Sequence, residues 1–297
     1  MLLTYRQEAH VAAALRSLLK QDHDDLEILV RDDHSPDDTF GVIQHVLRDY
    51  RGPHHVRADR NERNLGPHDS AWRSLMEATG SFIVEAHGDD ISYPNRVREV
   101  ASLHARTGAS LVTHNAHVGA VPGPRNRLLV EDAQTRELPG RELVGQSWSW
   151  AMLGASFSYD KRLWTTFGPF DMRRMSLAGD HVVPARAAML GGCWFLAEPL
   201  MFWRFHSQQS TALECGLRNE DPDVTAEAKG AHSLPAQLQL LRDLQAVEAA
   251  EGPSHVRDAL RQNVLVRLMS LSGSWSRSRT RLEGAGLRLQ VPKGEDG

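Results

Sequence analysis

An open α/β fold, with a Rossmann-like, mostly parallel sheet flanked by helices and a helical C-terminal appendage, is predicted by three features of this chain. Short apolar runs alternate with segments of helical spacing through residue 113, turn-forming residues punctuate them, and two long amphipathic segments follow residue 232. Strands that alternate with helices imply right-handed crossovers, which set successive strands parallel. The 297 residues suffice for one large α/β domain with appendages. A hydrophobic content of 41% with 24% charged residues is ordinary for a globular chain and excludes disorder at large.

The first strand, Met1-Leu2-Leu3 ahead of Thr4-Tyr5, is short. Central strands usually run about five or six residues, so either the natural start is clipped or the sheet opens with a stub. Val11, Leu15, Leu18 and Leu19 predict a helix over Glu8–Lys20, and Leu26–Val30 reads as a strand. Phe40, Ile43, Val46 and Leu47 share one face of a helix from Asp38 to Tyr50. A short strand at His55–Ala58 and a helix over Pro67–Ala78 come next. The run Ser81–Ala86 reads as a strand buried on both faces. Pro94 starts a helix that carries Val97, Val100 and Leu103, and Ser110–Thr113 forms the following strand.

After Asn115 the alternation breaks, and Val118–Gly145, rich in Pro, Gly and charge, reads as a loop or small subdomain. Regularity resumes with Trp148–Ser156, a helix near Lys161–Phe167, a helix over Asp180–Leu190, and apolar runs at Cys193–Leu196 and Leu200–Phe205. Between His232 and Ser270 two helices, split at Gly252-Pro253, are expected on the outside of the domain. Ser272–Gly297 is expected to be a mobile tail.

The formal net charge of −4 provides no global attraction for nucleic acid, which is not expected as a partner. Cys193 and Cys215 form neither a disulfide framework nor a zinc spacing, so a reduced compartment fits. His54-His55 and His114/His117 lack a ligand pattern, and the fifteen histidines read mostly as solvated or core residues. No run approaches the ~20 apolar residues that span a bilayer. The expectation is a cytoplasmic protein; Arg277, Arg279 and Arg281 around Trp275 read first as a solvated run, with peripheral contact at the inner face of the membrane as the alternative.

The chemistry points to Asp89-Asp90, just past the Ser81–Ala86 strand, at the edge where open α/β sheets bind ligands. Adjacent carboxylates repel and are comfortable only when hydrated or neutralised by a cation, and a divalent metal carrying a phosphorylated ligand supplies that charge. Asp32-Asp33 follows the Leu26–Val30 strand in the same way, so the two acidic pairs converge on one crevice. Asp33 suits a base N–H or a ribose hydroxyl.

The ordered motifs Thr4-Tyr5-Arg6-Gln7-Glu8, Gln21-Asp22, Asp32-Asp33-His34-Ser35 with Asp38-Thr39, Asn64-Leu65-Gly66 and Gly88-Asp89-Asp90 through Pro94 resemble the signature of family 2 glycosyltransferases. Gly154-Ala155-Ser156, Phe167-Gly168-Pro169-Phe170, Gly179-Asp180-His181 and Glu198-Pro199-Leu200 with Trp203-Arg204-Phe205-His206 resemble that family's acceptor side, so the likeness covers Met1 to Thr211. The resemblance implies the GT-A fold, a nucleotide-sugar donor (a UDP-sugar foremost), a saccharide or lipid-linked acceptor, Mg²⁺ or Mn²⁺, and a place in cell-surface polysaccharide or glycoconjugate synthesis. It implies an inverting transfer with Asp180 as general base, donor contacts at Thr4, Tyr5, Asp33, Asn64 and Asp89, and metal held by Asp89 and Asp90. It divides the chain into a nucleotide-sugar half at 1–115, an acceptor half at 116–211 and a helical extension with tail at 212–297.

Several positions depart from the family pattern. His87 stands where an acid is common, Gly179 where Glu precedes the base, Arg6 where Asn is usual, His34 where Gly is familiar, and Arg73 lies off a basic position of the nucleotide loop. These departures motivate a second reading, a catalytically degenerate nucleotide-binding or partner subunit of the same fold. A sugar nucleotidyltransferase needs a Gly-rich phosphate loop, and Met1–Gln7 contains no Gly.

Overall fold

The computed structural model describes residues 1–139, 153–169, 179–206 and 234–272, the side chains of 179–181, 234–236 and 267–272 excepted. The expected tail, the basic run around Trp275, Cys215, and the Trp148–Met152 part of the expected apolar segment lie outside the described residues.

The N-terminal layer is a four-stranded, fully parallel sheet in the order β3-β2-β1-β5, built from β1 (Leu2–Thr4), β2 (Glu27–Asp32), β3 (His55–Arg60) and β5 (Ala86–His87). Helices α1 (Val11–Leu18) and α2 (Thr39–Arg48) cover one face. Leu2, Val11, Leu15, Leu18, Ile28, Val30 and Ile43 close that side of the core. Leu29 points to the opposite face and joins a second core with Leu75 of α3 (Pro67–Glu77). Successive residues of β2 thus serve two cores, which is why its apolar run is unbroken.

The second sheet is mixed, in the order β4-β10-β7-β11-β6, comprising β4 (Phe82–Val84), β6 (Ile91–Ser92), β7 (Leu111–Gly119), β10 (Ser158–Asp160) and β11 (Cys193–Arg204). Its β7/β11 pair is parallel and runs the length of β7, straight through residue 115. The expected loop after Asn115 instead continues β7 and then adds β8 (Arg127–Leu128) and β9 (Arg136–Leu138) along the sheet. The two apolar runs Cys193–Leu196 and Leu200–Phe205 form one strand, whose register slips on either side of Pro199. Proline has no N–H for the ladder, and a bulge absorbs it.

Ser81–Ala86 is not the single doubly buried strand its composition suggests. The N–H of Glu85 donates to Phe157 O (3.0 Å) in the second sheet, and the next N–H, of Ala86, donates to Met1 O (2.8 Å) in the first. The chain therefore changes sheets at Glu85, and Phe82 and Val84 stay partly exposed. The acid at the break faces neighbours with which it hydrogen-bonds, a requirement the apolar pattern does not record.

Helix α4 (Arg96–Thr107) packs on β7, short α5 (Arg162–Thr165) follows β10, and α6 (Gly179–Leu190) precedes β11. The two helices expected on the outside are α7 (Leu234–Glu251) and α8 (His255–Ser272). They are part of the core: Leu240, Leu241, Leu244, Val247, Leu260 and Val264 are buried with Val182, Val183 and Phe195.

Candidate functional site

The chain runs β1, β2, β3 in one direction across the first sheet and then returns to place β5 on the other side of β1. This is a topological switch point, where the loops after β1 and β5 part and leave a crevice beyond the strands' C-terminal ends. Thr4-Tyr5, Asp33, Asn61 and Gly88-Asp89-Asp90 all leave their strands at this edge. Gly88 sits against the β1 loop so closely that a Cβ there would lie 2.3 Å from Gln7 Oε1 and 2.8 Å from Thr4 Cγ2.

The first acidic pair turns inward. Asp32 is fully buried and binds Thr4 Oγ1 (3.2 Å) and the Ser35 N–H (2.9 Å), with Arg60 Nε at 3.3 Å. Asp33 accepts from Asn61 Nδ2 and the Leu65 N–H on Oδ1, and from the Gly66 N–H on Oδ2, each at 2.8 Å. Asn64 Oδ1 accepts from the same Gly66 N–H at 3.1 Å, so Asp33 and Asn64 meet at one amide and shape the loop that enters α3. Thr4 is buried beneath this edge, whereas Tyr5 is 40% exposed at its rim with the Arg6 guanidinium over its ring. Two departures from the family pattern fall where the backbone is left-handed, at Arg6 (φ 54°) and His34 (φ 57°). Gly or Asn adopts that conformation more cheaply. His34 Nδ1 lies 3.0 Å from Asn61 O, and the Arg6 N–H donates to Ser35 Oγ at 3.0 Å, contacts that hold the two turns. Arg73 pairs with Glu77 along α3 at 3.5 Å.

The second acidic pair keeps one buried acceptor, Asp90 Oδ2, without a partner among the described residues. Strand β11 pairs antiparallel with β6, and that register carries Arg204 and His206 back over the turn preceding β6. The Arg204 N–H donates to Asp90 Oδ1 (2.9 Å), its Nε donates to Asp89 O (2.9 Å) and its Nη1 to Ala120 O (2.9 Å), so this guanidinium clamps the turn. His206 Nε2 lies 3.0 Å from Asp89 Oδ2, and the His10 ring sits 5.2 Å from the His206 ring. Asp90 is 5% exposed, and its Oδ2 has no hydrogen-bond partner among the described residues. A ring nitrogen of His87 and carboxylate oxygens of Asp89 and Asp90 lie within 4.8 Å of one another. Below them Arg96 is fully buried and donates to Ser92 Oγ (3.0 Å), Glu85 O (2.7 Å) and Ala155 O (2.8 Å). Burial lowers its pKa to about 10, so it keeps its charge at neutral pH.

Burial, reinforced by the Asp89 charge, pushes the Asp90 carboxyl up to about 7. His87 is raised to about 9: burial opposes its charge, but the hydrogen bond and charge of Glu85, with the charges of Asp90 and Asp89, prevail. Both groups hold a proton more tightly folded than unfolded, so both add stability at low pH. The share of Asp90 is lost as pH rises from about 4 to about 7, and that of His87 from about 6.5 to about 9. In protein stripped of divalent cations, calorimetry is expected to show the Tm of Asp90→Asn rising relative to that of the wild type as pH goes from about 4 to about 7, because only the wild type then bears the cost of the buried charge.

Asp180 is the second residue of α6, and its side chain lies outside the described residues, as do Phe170 of its neighbouring motif and the side chain of His181. Sequence reasoning passed over Arg96, Glu85 and His10 altogether and left Arg204 and His206 undecided. The signal that finds the last two is register, since the residues just past β11 must lie opposite the residues just before β6.

Comparison with known proteins bears on the whole chain. A family model described as "Glycosyl transferase family 2" matches residues 1–159. An uncharacterized glycosyltransferase of Nostoc sp. is 22% identical over 80% of this chain and 72% of its own. A GalNAc(5)-diNAcBac-PP-undecaprenol beta-1,3-glucosyltransferase of Campylobacter jejuni is 32% identical, over only 29% of this chain and 28% of its own. Among solved structures, Staphylococcus aureus TarS 1–349 in complex with UDP aligns at a TM-score of 0.58 and 17% identity, over 99% of this chain and 94% of that one. A Pyrobaculum calidifontis mannosyltransferase in complex with GDP-Man and Mn²⁺ aligns at 0.52 and 15% identity, over 96% and 85%. At these identities the two structures establish the fold, which is that of GT-A glycosyltransferases.

Proposed function

This chain belongs to glycosyl transferase family 2, and from that premise we propose that it moves a sugar from a nucleotide-sugar donor to an acceptor hydroxyl, with inversion at the anomeric carbon. The observation that carries this reading is the Asp90 Oδ2 atom, buried at the switch-point crevice without a partner among the described residues, in a turn that Arg204 holds. Natural proteins rarely leave a buried carboxylate oxygen orphaned, and a cation is the partner that suits a pair of adjacent carboxylates.

Asp89 and Asp90 fit Mg²⁺ or Mn²⁺ as oxygen donors, with His206 beside Asp89 at the same crevice. When bound, such an ion stabilises the diphosphate as negative charge develops on it. The protein's own part is positional. Arg204 fixes the turn through three hydrogen bonds and so positions the carboxylates. The loop held by Asp33 and Asn64, with Thr4 and Tyr5 next to it, forms the wall suited to the nucleoside. Asp180 takes the proton of the acceptor hydroxyl, the oxygen attacks the anomeric carbon, and the bond from that carbon to the diphosphate breaks.

UDP and UDP-sugars are the first donors to try, since UDP is bound in the structural neighbour from S. aureus and GDP-Man in that from P. calidifontis. The relative that acts on an undecaprenol-linked saccharide supports a lipid-linked acceptor and a role in surface glycoconjugate synthesis. Among the described residues no helix is long and apolar enough to cross a membrane.

Thermal shift and calorimetry with UDP or GDP plus Mn²⁺ test the site. The wild type is expected to bind nucleoside diphosphate at least ~10-fold more tightly with Mn²⁺ than with EDTA, and Asp90→Ala is expected to abolish that difference. Equal binding in the two proteins would remove the metal anchor from the proposal. Binding with neither donor hydrolysis nor transfer would favour the degenerate subunit instead.

A further inference from the structure

We propose that His87 is a nitrogen ligand of the cation site at Asp89–Asp90, oriented from behind by Glu85, and that this donor makes the site select Mn²⁺ or Co²⁺ over Mg²⁺. The inference rests on the reading of Asp89 and Asp90 as a cation anchor and adds to it the kind of cation held and the residues that choose it.

The donors already face one space. One ring nitrogen of His87 lies within 4.8 Å of a carboxylate oxygen of each aspartate, and the same holds between the aspartates. Donors about 2.0–2.2 Å from one ion stand about 3 Å apart when cis and no more than about 4.4 Å when trans, so side-chain movement on the order of 1 Å closes the set. Asp90 is more than nine-tenths buried, and its Oδ2 is the atom that lacks a partner.

Behind the imidazole stands a carboxylate that is itself held. Glu85 Oε1 lies 3.4 Å from His87 Nε2, and Glu85 Oε2 accepts from the Tyr159 hydroxyl at 3.2 Å. Tyr159 is buried on β10, opposite Ile83 of β4, so its position is set by the sheet. A carboxylate that accepts from one ring nitrogen fixes the tautomer, aims the ring and leaves the other nitrogen free to ligate. Residues 85 and 87 are two apart on extended chain and so lie on one side of it, which lets their side chains meet.

The consequence is chemical selectivity. Mg²⁺ is a hard ion that favours an octahedral shell of oxygens, whereas imidazole suits first-row transition metals, whose affinity rises from Mn²⁺ to Co²⁺. Replacing an acid by His also removes one negative charge from the ligand set. Absolute affinity for dications is then lower than with three carboxylates, while the preference for a transition metal is greater.

The test is direct metal binding to the full chain, without nucleotide or turnover. Mn²⁺ is titrated into metal-stripped protein, and pulsed electron paramagnetic resonance reads the ¹⁴N modulation from a coordinated imidazole. Calorimetry gives the Mn²⁺ and Mg²⁺ affinities in parallel. The ¹⁴N signal is expected in the wild type and in His206→Asn, and the signal from residue 87 is expected to vanish in His87→Asn. His87→Asp is expected to lower the Mn²⁺/Mg²⁺ affinity ratio at least ~10-fold by restoring an all-oxygen set. Glu85→Gln is expected to weaken Mn²⁺ binding ~10- to 100-fold with the ¹⁴N signal retained. An unchanged ¹⁴N signal in His87→Asn, or equal affinity ratios for wild type and His87→Asp, overturns the role of His87 and leaves the aspartate anchor standing. Failure of Mn²⁺ to bind the wild type, or binding undiminished in Asp90→Ala, overturns the anchor and the inference together.

Discussion

Asp180→Asn is expected to lower kcat by ~10²- to 10⁴-fold while nucleotide affinity stays at the wild-type value, measured by steady-state transfer kinetics beside calorimetry. A general base is needed only when the acceptor hydroxyl loses its proton, so its removal affects turnover and spares donor binding. The substitution is chosen because Asp180 is the second residue of α6. A carboxylate in a first helical turn gains from the helix dipole by a few tenths to about 1 kcal/mol, whatever its catalytic role. Asn keeps the shape and the hydrogen-bonding ability of Asp there and gives up the charge. A Tm close to wild type combined with lost turnover therefore separates the base from a purely structural residue. Turnover within a few-fold of wild type would remove Asp180 from the mechanism.

Asp243→Ala is expected to destabilise the protein by ~3–5 kcal/mol in urea unfolding, because it removes a buried carboxylate that accepts two hydrogen bonds from a buried guanidinium. Arg186 and Asp243 are 1% and 2% exposed, joined at 2.8 Å (Nε to Oδ2) and 3.2 Å (Nη2 to Oδ1). Arg186 Nη1 also donates to Gly168 O at 2.8 Å, and the Phe167 and Trp164 rings lie 5.2 and 5.8 Å from its guanidinium carbon. Replacing both partners by apolar residues of similar size, as in Arg186→Met with Asp243→Leu, is expected to recover most of the loss. A single variant as stable as wild type would show that the pair contributes little. Because Arg186 belongs to α6, this ion pair fastens the C-terminal helices to the helix that bears Asp180.

Local pattern located most elements of the first half within a few residues. The helix expected over Pro67–Ala78 forms at Pro67–Glu77, and the strand at Leu26–Val30 forms at Glu27–Asp32. These segments bury one face or both against near neighbours, so apolar spacing records their environment. Ser81–Ala86 failed for the opposite reason: two sheets share it, and the break depends on the partners of Glu85, which come from residues 87 and 159. The C-terminal helices were legible as helices but not as core, since their partner surface on α6 is distant in sequence.

The two acidic pairs mark the limit most clearly. By itself the sequence determined the α/β class, the order of the motifs and the edge at which Asp33, Asp89 and Asp90 emerge, because these follow from strand ends and chain order. Only the tertiary structure decided that the pairs differ. The carboxylate oxygens of Asp32 and Asp33 are taken up by turns and a loop, while Asp90 keeps an unpartnered oxygen under a clamp supplied by Arg204. That difference arises from strand register across more than a hundred residues, and a hydrogen-bond acceptor is free or engaged only with respect to what the fold brings beside it.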